Sequence, residues 1–350
     1  MITAVQQEAA LAKVARILGA DPAQVEFLQE VDITTLSALR DQISDVLQLS
    51  DAKKSTVTAT AKLAPVPLAA SIGEKWFGAT MCARLVGLVD PKMARHYAKH
   101  LSMDFMADVT VQTDPRCVSG IVEELPLRTM QAIATNLLAR GDHFTLSHFV
   151  AYVPPPVVID ILDAIADDAA LVRIATYVED LAVLDPIVAL LPDSRLLALV
   201  TAVEREDLWP EGLHLFSALS SQQITRVATT LVETDEGVLS TALAAFDRHG
   251  LWSQGLRLID HLGPEDMEQI AFALGQVDDE VIEAAVAAAD ANDLWEPVVR
   301  AALAAQGRAP LLGPRVAHLV ERIPKAGIAR FEETANALGH PDLLRILLAN

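Results

Sequence analysis

The sequence predicts an all-α protein, a right-handed α-solenoid of short-helix repeats preceded by a small helical unit. Three observations carry this prediction. Asp207-Leu208-Trp209 recurs as Gly250-Leu251-Trp252 and again as Asp293-Leu294-Trp295, each Trp 43 residues after the last. Even spacing of so rare a residue type marks a repeat array. From Pro65 onward, turns bearing Asp or Pro alternate with apolar residues at helical spacing. Finally, 52% of residues are hydrophobic but only 5% aromatic, a balance of Ala, Leu and Val that suits helix interfaces better than strands.

Residues 1–48 read as three short helices. Val5, Ala9, Leu11, Val14 and Leu18 share a helical face that Gly19 ends. Asp21-Pro22 supplies an N-cap and an N1 proline for a second helix through Glu30. Asp32 opens a third, with Leu36, Leu39, Ile43 and Leu47 on one face. This unit is expected to serve as an accessory module, docked on the main domain or on a partner, or joining two copies as a homodimer. Residues 49–64 are small and polar, rich in Thr and Ala with Lys53, Lys54 and Lys62, and read as a flexible linker.

Residues 65–350 read as the repeat domain. Helix starts are expected at Asp90-Pro91, Asp114-Pro115, Pro154-Pro155, Asp185-Pro186, Pro192-Asp193 and Gly263-Pro264. Asp accepts backbone N–H groups left open at a helix start, and proline is harmless there because its missing N–H had no partner. In the 43-residue frame Gly212 aligns with Gly255, Leu213 with Leu256, Leu231 with Leu274 and Ala242 with Ala285. Each repeat holds three helices: one from the Trp, one after Ser220 or Gly263, and one after Asp235 or Asp278. Residues 166–208 fit the frame weakly, and the third repeat gains two or three residues near Gly307 to Gly313. Helices this short are marginal alone, so stacking must supply stability. Each Trp is expected to be a buried joint between repeats.

The stretches LVDPKMARHYAKHLS (88–102), QTDPRCVSGIVEELPLRTMQAIATNLL (112–138) and YVPPPVVIDILDAI (152–165) share proline-anchored short helices rich in Leu and Ile. This grammar, over roughly residues 70–300, resembles the N-terminal superhelical domain of MgtE-type magnesium transporters. It is also similar to the armadillo-like middle domain of the flagellar motor switch protein FliG. The resemblance implies a curved α-solenoid that works through its surfaces. The regulatory module and membrane helices that follow in the transporters have no counterpart here, so transport is not expected. The Glu-His-Pro-Gln stretch and Gly-Gly hinge of the motor protein are missing too.

Net charge is −20, carried almost wholly by the chain beyond residue 100, where no Lys occurs between Lys99 and Lys325. Such a surface repels phosphate backbones, so nucleic acid is not an expected partner. No apolar run reaches about 18 residues without a charge or proline, and the N-terminus carries Gln7, Glu8, Lys13 and Arg16. A cytoplasmic chain without a membrane span is expected. Two cysteines, Cys82 and Cys117, make neither a disulfide framework nor a metal motif.

Four groups of residues could carry chemistry. His96, His100, Asp104 and Asp108 stand at i, i+4 spacing, and on one continuous helix His96, His100 and Asp104 could share a divalent metal. The ladder rotates by about 40° per step, and a turn is expected near Ser102–Asp104. His143 and His148 lie in RGDHFTLSHF beside Asp142, where a His–Asp contact could tune a base, but no paired nucleophile is visible. The acidic pairs at Asp167-Asp168 and Asp278-Asp279 fall at helix starts, where the dipole favours carboxylates. His214, Arg257 and Arg300 each lie five residues after a repeat Trp and form a column that could grip an acidic or carboxylate-bearing segment.

The leading expectation is therefore a non-enzymatic protein–protein interaction scaffold or adaptor with no cofactor. One alternative is a carrier or sensor of an apolar small molecule held between helices, motivated by the mean hydropathy of +0.31. The other is a metal- or cofactor-dependent enzyme using His96 and His100.

Overall fold

A computed structural model describes residues 2–47, 65–232, 236–306 and 323–349. These residues form helices and turns, with no strand among them. The chain divides into two compact units, Met1–Leu190 and Leu191–Asn350. No helix among the described residues is long and apolar enough to cross a membrane.

The first unit opens with α1 (Ile2–Leu18), a 3-10 turn (Pro22–Leu28) and α2 (Ile33–Leu47). Gly19 ends α1 at φ 64, a left-handed conformation that costs glycine little. Asp21 caps the 3-10 turn, accepting from Ala23 N at 2.9 Å, and Asp32 caps α2, accepting from Thr35 N at 2.9 Å. The three elements bury Ala10, Val14, Ala15, Val25 and Leu36. The linker reading for residues 49–64 lies outside the described residues.

The rest of this unit is α3 (Val66–Ile72), a π turn (Gly73–Phe77), α4 (Gly78–Val86), α5 (Pro91–Ala98), α6 (Met103–Gln112) and α7 (Ser119–Glu124). It continues with α8 (Leu127–Ala139), α9 (His143–Val150), α10 (Pro155–Leu162), α11 (Asp168–Thr176) and α12 (Leu184–Leu190). Asp90 caps α5 and Asp142 caps α9 through backbone N–H groups at 3.0 Å. One start differs from expectation. Asp180, not Asp185, supplies the cap: it accepts from Ala182 N at 3.1 Å and opens a 3-10 turn that runs into α12 before Pro186 is reached. Helices here pack mainly on the element two positions along, as α4 does on α6, α6 on α8, and α8 on α10.

The second unit contains α13 (Asp193–Arg205), α14 (Trp209–Phe216), α15 (Ser221–Val232), α16 (Glu236–Arg248), α17 (Trp252–Asp260) and α18 (Pro264–Leu274). It ends with α19 (Asp279–Asn292), α20 (Trp295–Gln306), α21 (Lys325–Ala337) and α22 (Leu343–Ala349). The first two 43-residue repeats thus each hold three helices. Equivalent helices of successive repeats touch: α14 with α17, α17 with α20, α15 with α18, and α16 with α19. The expected insertion near Gly307 to Gly313 lies outside the described residues.

The repeated Leu-Trp phrase is a helix stop followed at once by a helix start. The residue before Leu is left-handed in all three copies, at φ 54 for Asp207, 66 for Gly250 and 57 for Asp293. The next N–H then reaches back to a carbonyl five residues earlier: Leu208 to Val203 at 2.9 Å, Leu251 to Phe246 at 2.7 Å, Leu294 to Ala289 at 2.9 Å. This is the Schellman closure of a helix end. Only Gly, Asn and Asp enter that conformation at low cost, which is why the position alternates between Asp and Gly. Gly339, at φ 86 with His340 N bonded to Ala335 O at 2.8 Å, repeats the closure 46 residues after Asp293.

Trp209, Trp252 and Trp295 are 2%, 4% and 3% exposed. Phe246 stands between the first two, edge-on to Trp209 at 5.7 Å and to Trp252 at 5.8 Å, and Phe331 meets Trp295 in the same manner at 6.5 Å. Gly255 is what lets Phe246 approach, since a Cβ there would lie 2.4 Å from the ring. Gly212, its equivalent, faces the smaller Val203 at 3.3 Å. Burial of the indoles outweighs a cost, because among the described residues none of these three N–H groups has an acceptor.

Candidate functional site

The basic column is split among three environments. His214 is half-buried on α14, and burial pushes its imidazole below the usual range. Arg257 is exposed on α17. Arg300, on α20, donates to Asp260 O at 2.7 Å and to Leu262 O, so it closes the carbonyl end of α17 in the preceding repeat. Arg330 reaches Asp290 O at 3.1 Å in the same way. Arg226 bonds Leu191 O at 2.6 Å, and Arg140 bonds Asp104 O at 3.3 Å. These arginines tie together segments 35 to 40 residues apart. The fork of N–H donors explains why arginine, not lysine, populates the region from residue 100 to 324.

The His96–His100–Asp104 ladder is divided. His96 ends α5 with its Nδ1 against Lys92 O at 2.8 Å, and His100 lies in the turn after that helix. Ser102 then caps α6, accepting from Phe105 N at 3.3 Å. Asp104 accepts from Asn136 at 2.8 Å and pairs with Arg140 at 3.3 Å, which holds its carboxyl below the usual range. Among the described residues, no group of three His, Cys, Asp or Glu side chains is placed to hold a metal ion. Asp167 is a helix cap, accepting from Ala170 N at 3.0 Å, and Asp278 stands at the N-cap of α19. An open groove of about 800 Å³ in the second unit is lined by Asp290, Asp293, Trp295, Arg330 and Glu333, a charged lining ill suited to an apolar ligand.

His148 belongs to a buried charge cluster whose members are far apart in sequence. Lys13, 6% exposed, donates to Tyr177 O at 3.2 Å and to Glu179 at 3.0 Å. Arg40, as deeply buried, also meets Glu179 and pairs with Asp41 at 2.9 Å, while Ser37 adds a third donor to Glu179 at 3.0 Å. Arg16 bonds Thr145 at 2.6 Å and Asp142 at 3.2 Å, and Arg116 reaches Asp45 at 2.9 Å. These contacts fasten α1 and α2 to the elements around α9 and α11.

One carboxylate is shared by two buried cations. Burial pushes the Glu179 carboxyl up, but Lys13 and Arg40 outweigh it, so it lies well below the usual range. Lys13 is lowered although it holds that ion pair, because burial, helped by the nearby charges of Arg40 and Arg16, outweighs the pull of Glu179. His148 is lowered by burial and then by the two cations, so it stays neutral.

The feature that sequence reasoning missed lies at residues 66–86. Leu68, Ile72, Trp76, Phe77 and Met81 are all exposed, Trp76 at 82% and Phe77 at 55%. Leu68, Ile72 and Trp76 follow one another at four-residue steps, which places them on one helical face. The π turn carries Trp76 and Phe77, and Gly78, at φ 70, redirects the chain into α4. Trp76 differs from the repeat tryptophans in having no preceding Leu and no left-handed residue before it. Lys75, Arg84, Lys92, Arg95 and Lys99 lie on the turn and on α4 and α5, all exposed. None of their side chains has a partner among the described residues. The two acids of residues 65–100 are already engaged: Glu74 accepts from the Ser102 hydroxyl, and Asp90 caps α5.

No protein-family model and no curated protein sequence matches this chain.

Proposed function

We propose that this chain is a non-enzymatic interaction scaffold, an α-solenoid that binds a partner protein through the exposed stripe of α3, the π turn and α4. The carrying observation is Trp76 and Phe77, two adjacent aromatic side chains left in water beside Leu68, Ile72 and Met81. Exposed apolar patches mark interaction surfaces, and aromatic anchors supply a disproportionate share of binding energy. The repeat-to-repeat contacts of α14, α17 and α20 support the solenoid reading, because each three-helix unit buries its faces on its neighbours. The resemblance to the superhelical transporter domain and the motor switch domain points the same way, toward work done by surfaces.

Affinity capture from the native host, with the parent protein and with Trp76→Ala/Phe77→Ala side by side, tests this. A reproducible partner lost by the double variant is expected. If the parent recovers no reproducible partner, or both proteins recover the same set, the proposal fails.

A further inference from the structure

The proposed stripe also has a charge. In a chain of net −20, residues 65–100 carry five exposed Lys and Arg side chains without partners among the described residues, against two acids that are engaged locally. An excess of unpaired cations beside unpaired apolar side chains is two-part complementarity: it lacks carboxylates and it lacks an apolar cover. We propose, resting on the interaction reading above, that the occupant is an amphipathic segment of a partner protein, apolar on one face and rich in Asp and Glu beside it.

The dimensions fit a short helix. Leu68 to Trp76 spans about 12 Å at the rise of a helix, a length matched by apolar anchors at i, i+4 and i+7 on the partner. Trp76, the most exposed, would be the central anchor, with Phe77 and Met81 extending the apolar floor. Lys75 precedes Trp76 on the π turn, Arg84 stands three residues after Met81 on α4, Lys92 and Arg95 follow on α5, which packs on α3, and Lys99 is the residue just past its end. The cations would steer encounter and select against basic segments, and the apolar contacts would set the lifetime of the complex. An anionic bilayer would satisfy the same local chemistry, but it extends well beyond a Debye length of the patch and so also meets the acidic remainder of a chain of net −20, whereas a short segment meets the patch alone.

The test is selection of 16-residue segments from a random displayed library on the full-length protein, with Trp76→Ala and Lys75→Glu/Arg84→Glu counter-screens. Enriched segments are expected to show apolar residues at helical spacing with an excess of Asp and Glu. Synthetic copies are expected to bind at least 10-fold more weakly to Trp76→Ala, and to weaken as salt is raised. Enriched segments that depend on Trp76 but are neutral or basic would overturn the acidic-partner proposal while leaving the interaction reading standing. Enrichment indifferent to Trp76, or no enrichment, would overturn the proposal at this surface. Trp76-dependent binding to vesicles of phosphatidylserine and phosphatidylcholine, with no segment selected, would replace it with a membrane role. The interaction reading fails separately, through the host capture described above.

Discussion

Two kinds of tryptophan divide the molecule. In the second unit, Trp209, Trp252 and Trp295 follow a left-handed helix stop, are buried and stand edge-on to phenylalanine, and the Trp252–Phe246 contact joins two successive repeats. In the first unit, Trp76 follows no such stop and is left in water, on a stretch whose five exposed cations have no side-chain partner among the described residues. The same indole is structural mortar in one setting and a contact surface in the other. What distinguishes the two settings is local sequence: a left-handed helix stop and a Leu immediately before the indole.

The units also differ in how distant segments are joined. The second relies on repetition, with equivalent helices stacked and arginines closing the carbonyl ends of neighbours. The first fastens α1 and α2 through unrepeated polar contacts, with Glu179 at the most buried of them and the Arg16–Asp142 and Arg116–Asp45 pairs beside it. A repeated joint spreads the load over several equivalent sites, whereas here the buried part of it falls on one carboxylate, Glu179, shared by Lys13 and Arg40.

The contrast can be broken at its strongest point first. Trp252→Ala removes a buried aromatic at a joint and is expected to lower the stability of the second unit by about 3–5 kcal/mol, read from denaturant unfolding. Glu179→Gln leaves buried Lys13 without its counter-charge and Arg40 with Asp41 alone, and is expected to cost the first unit about 3 kcal/mol. Hydrogen exchange should locate that loss in residues 2–47, and unchanged protection there would refute the role given to Glu179.

Smaller effects sharpen the comparison. Gly255→Ala drives a methyl into the Phe246 ring and is expected to cost about 1–3 kcal/mol, while Gly212→Ala, facing the movable methyls of Val203, costs less. Equal melting shifts for the two would show that Phe246 is not clamped. Acid should loosen the first unit before the second. His148 and Glu179 both have folded-state values below their ordinary ones, so each contributes stability that is complete above its unfolded value and is lost as pH falls. The loss begins near 6.5, through His148, and gains the Glu179 share below 4.5. By pH 5 it is expected to reach on the order of 1–2 kcal/mol, seen as faster exchange in α1 and α2.

The sequence disclosed the periodic parts of this fold and concealed the singular ones. Helix class, the caps at Asp21, Asp32, Asp90 and Asp114, and the three-helix content of the two full repeats follow from local chemistry and from a pattern seen more than once. The turn at Ser102 that divides His96 and His100 from Asp104 was legible because a serine N-cap is a local signal. Pairings such as Lys13 with Glu179 join residues 166 apart and leave no local trace. The column of His214, Arg257 and Arg300 is a true repeat position, but its register does not say which member a neighbouring helix will occupy, and Arg300 is occupied. Exposure of Trp76 was hidden because an apolar residue at helical spacing reads as core wherever it stands.

The two indoles, compared in one experiment, test the division of labour most directly. Melting temperature and capture of the host partner should be measured for the parent, Trp252→Ala and Trp76→Ala, with capture performed below the lowest melting point. Trp252→Ala is expected to melt lower and keep the partner; Trp76→Ala is expected to melt within the equivalent of about 0.5 kcal/mol of the parent and lose it. A Trp76→Ala protein that melts low, or one that captures the partner as well as the parent does, would contradict the account.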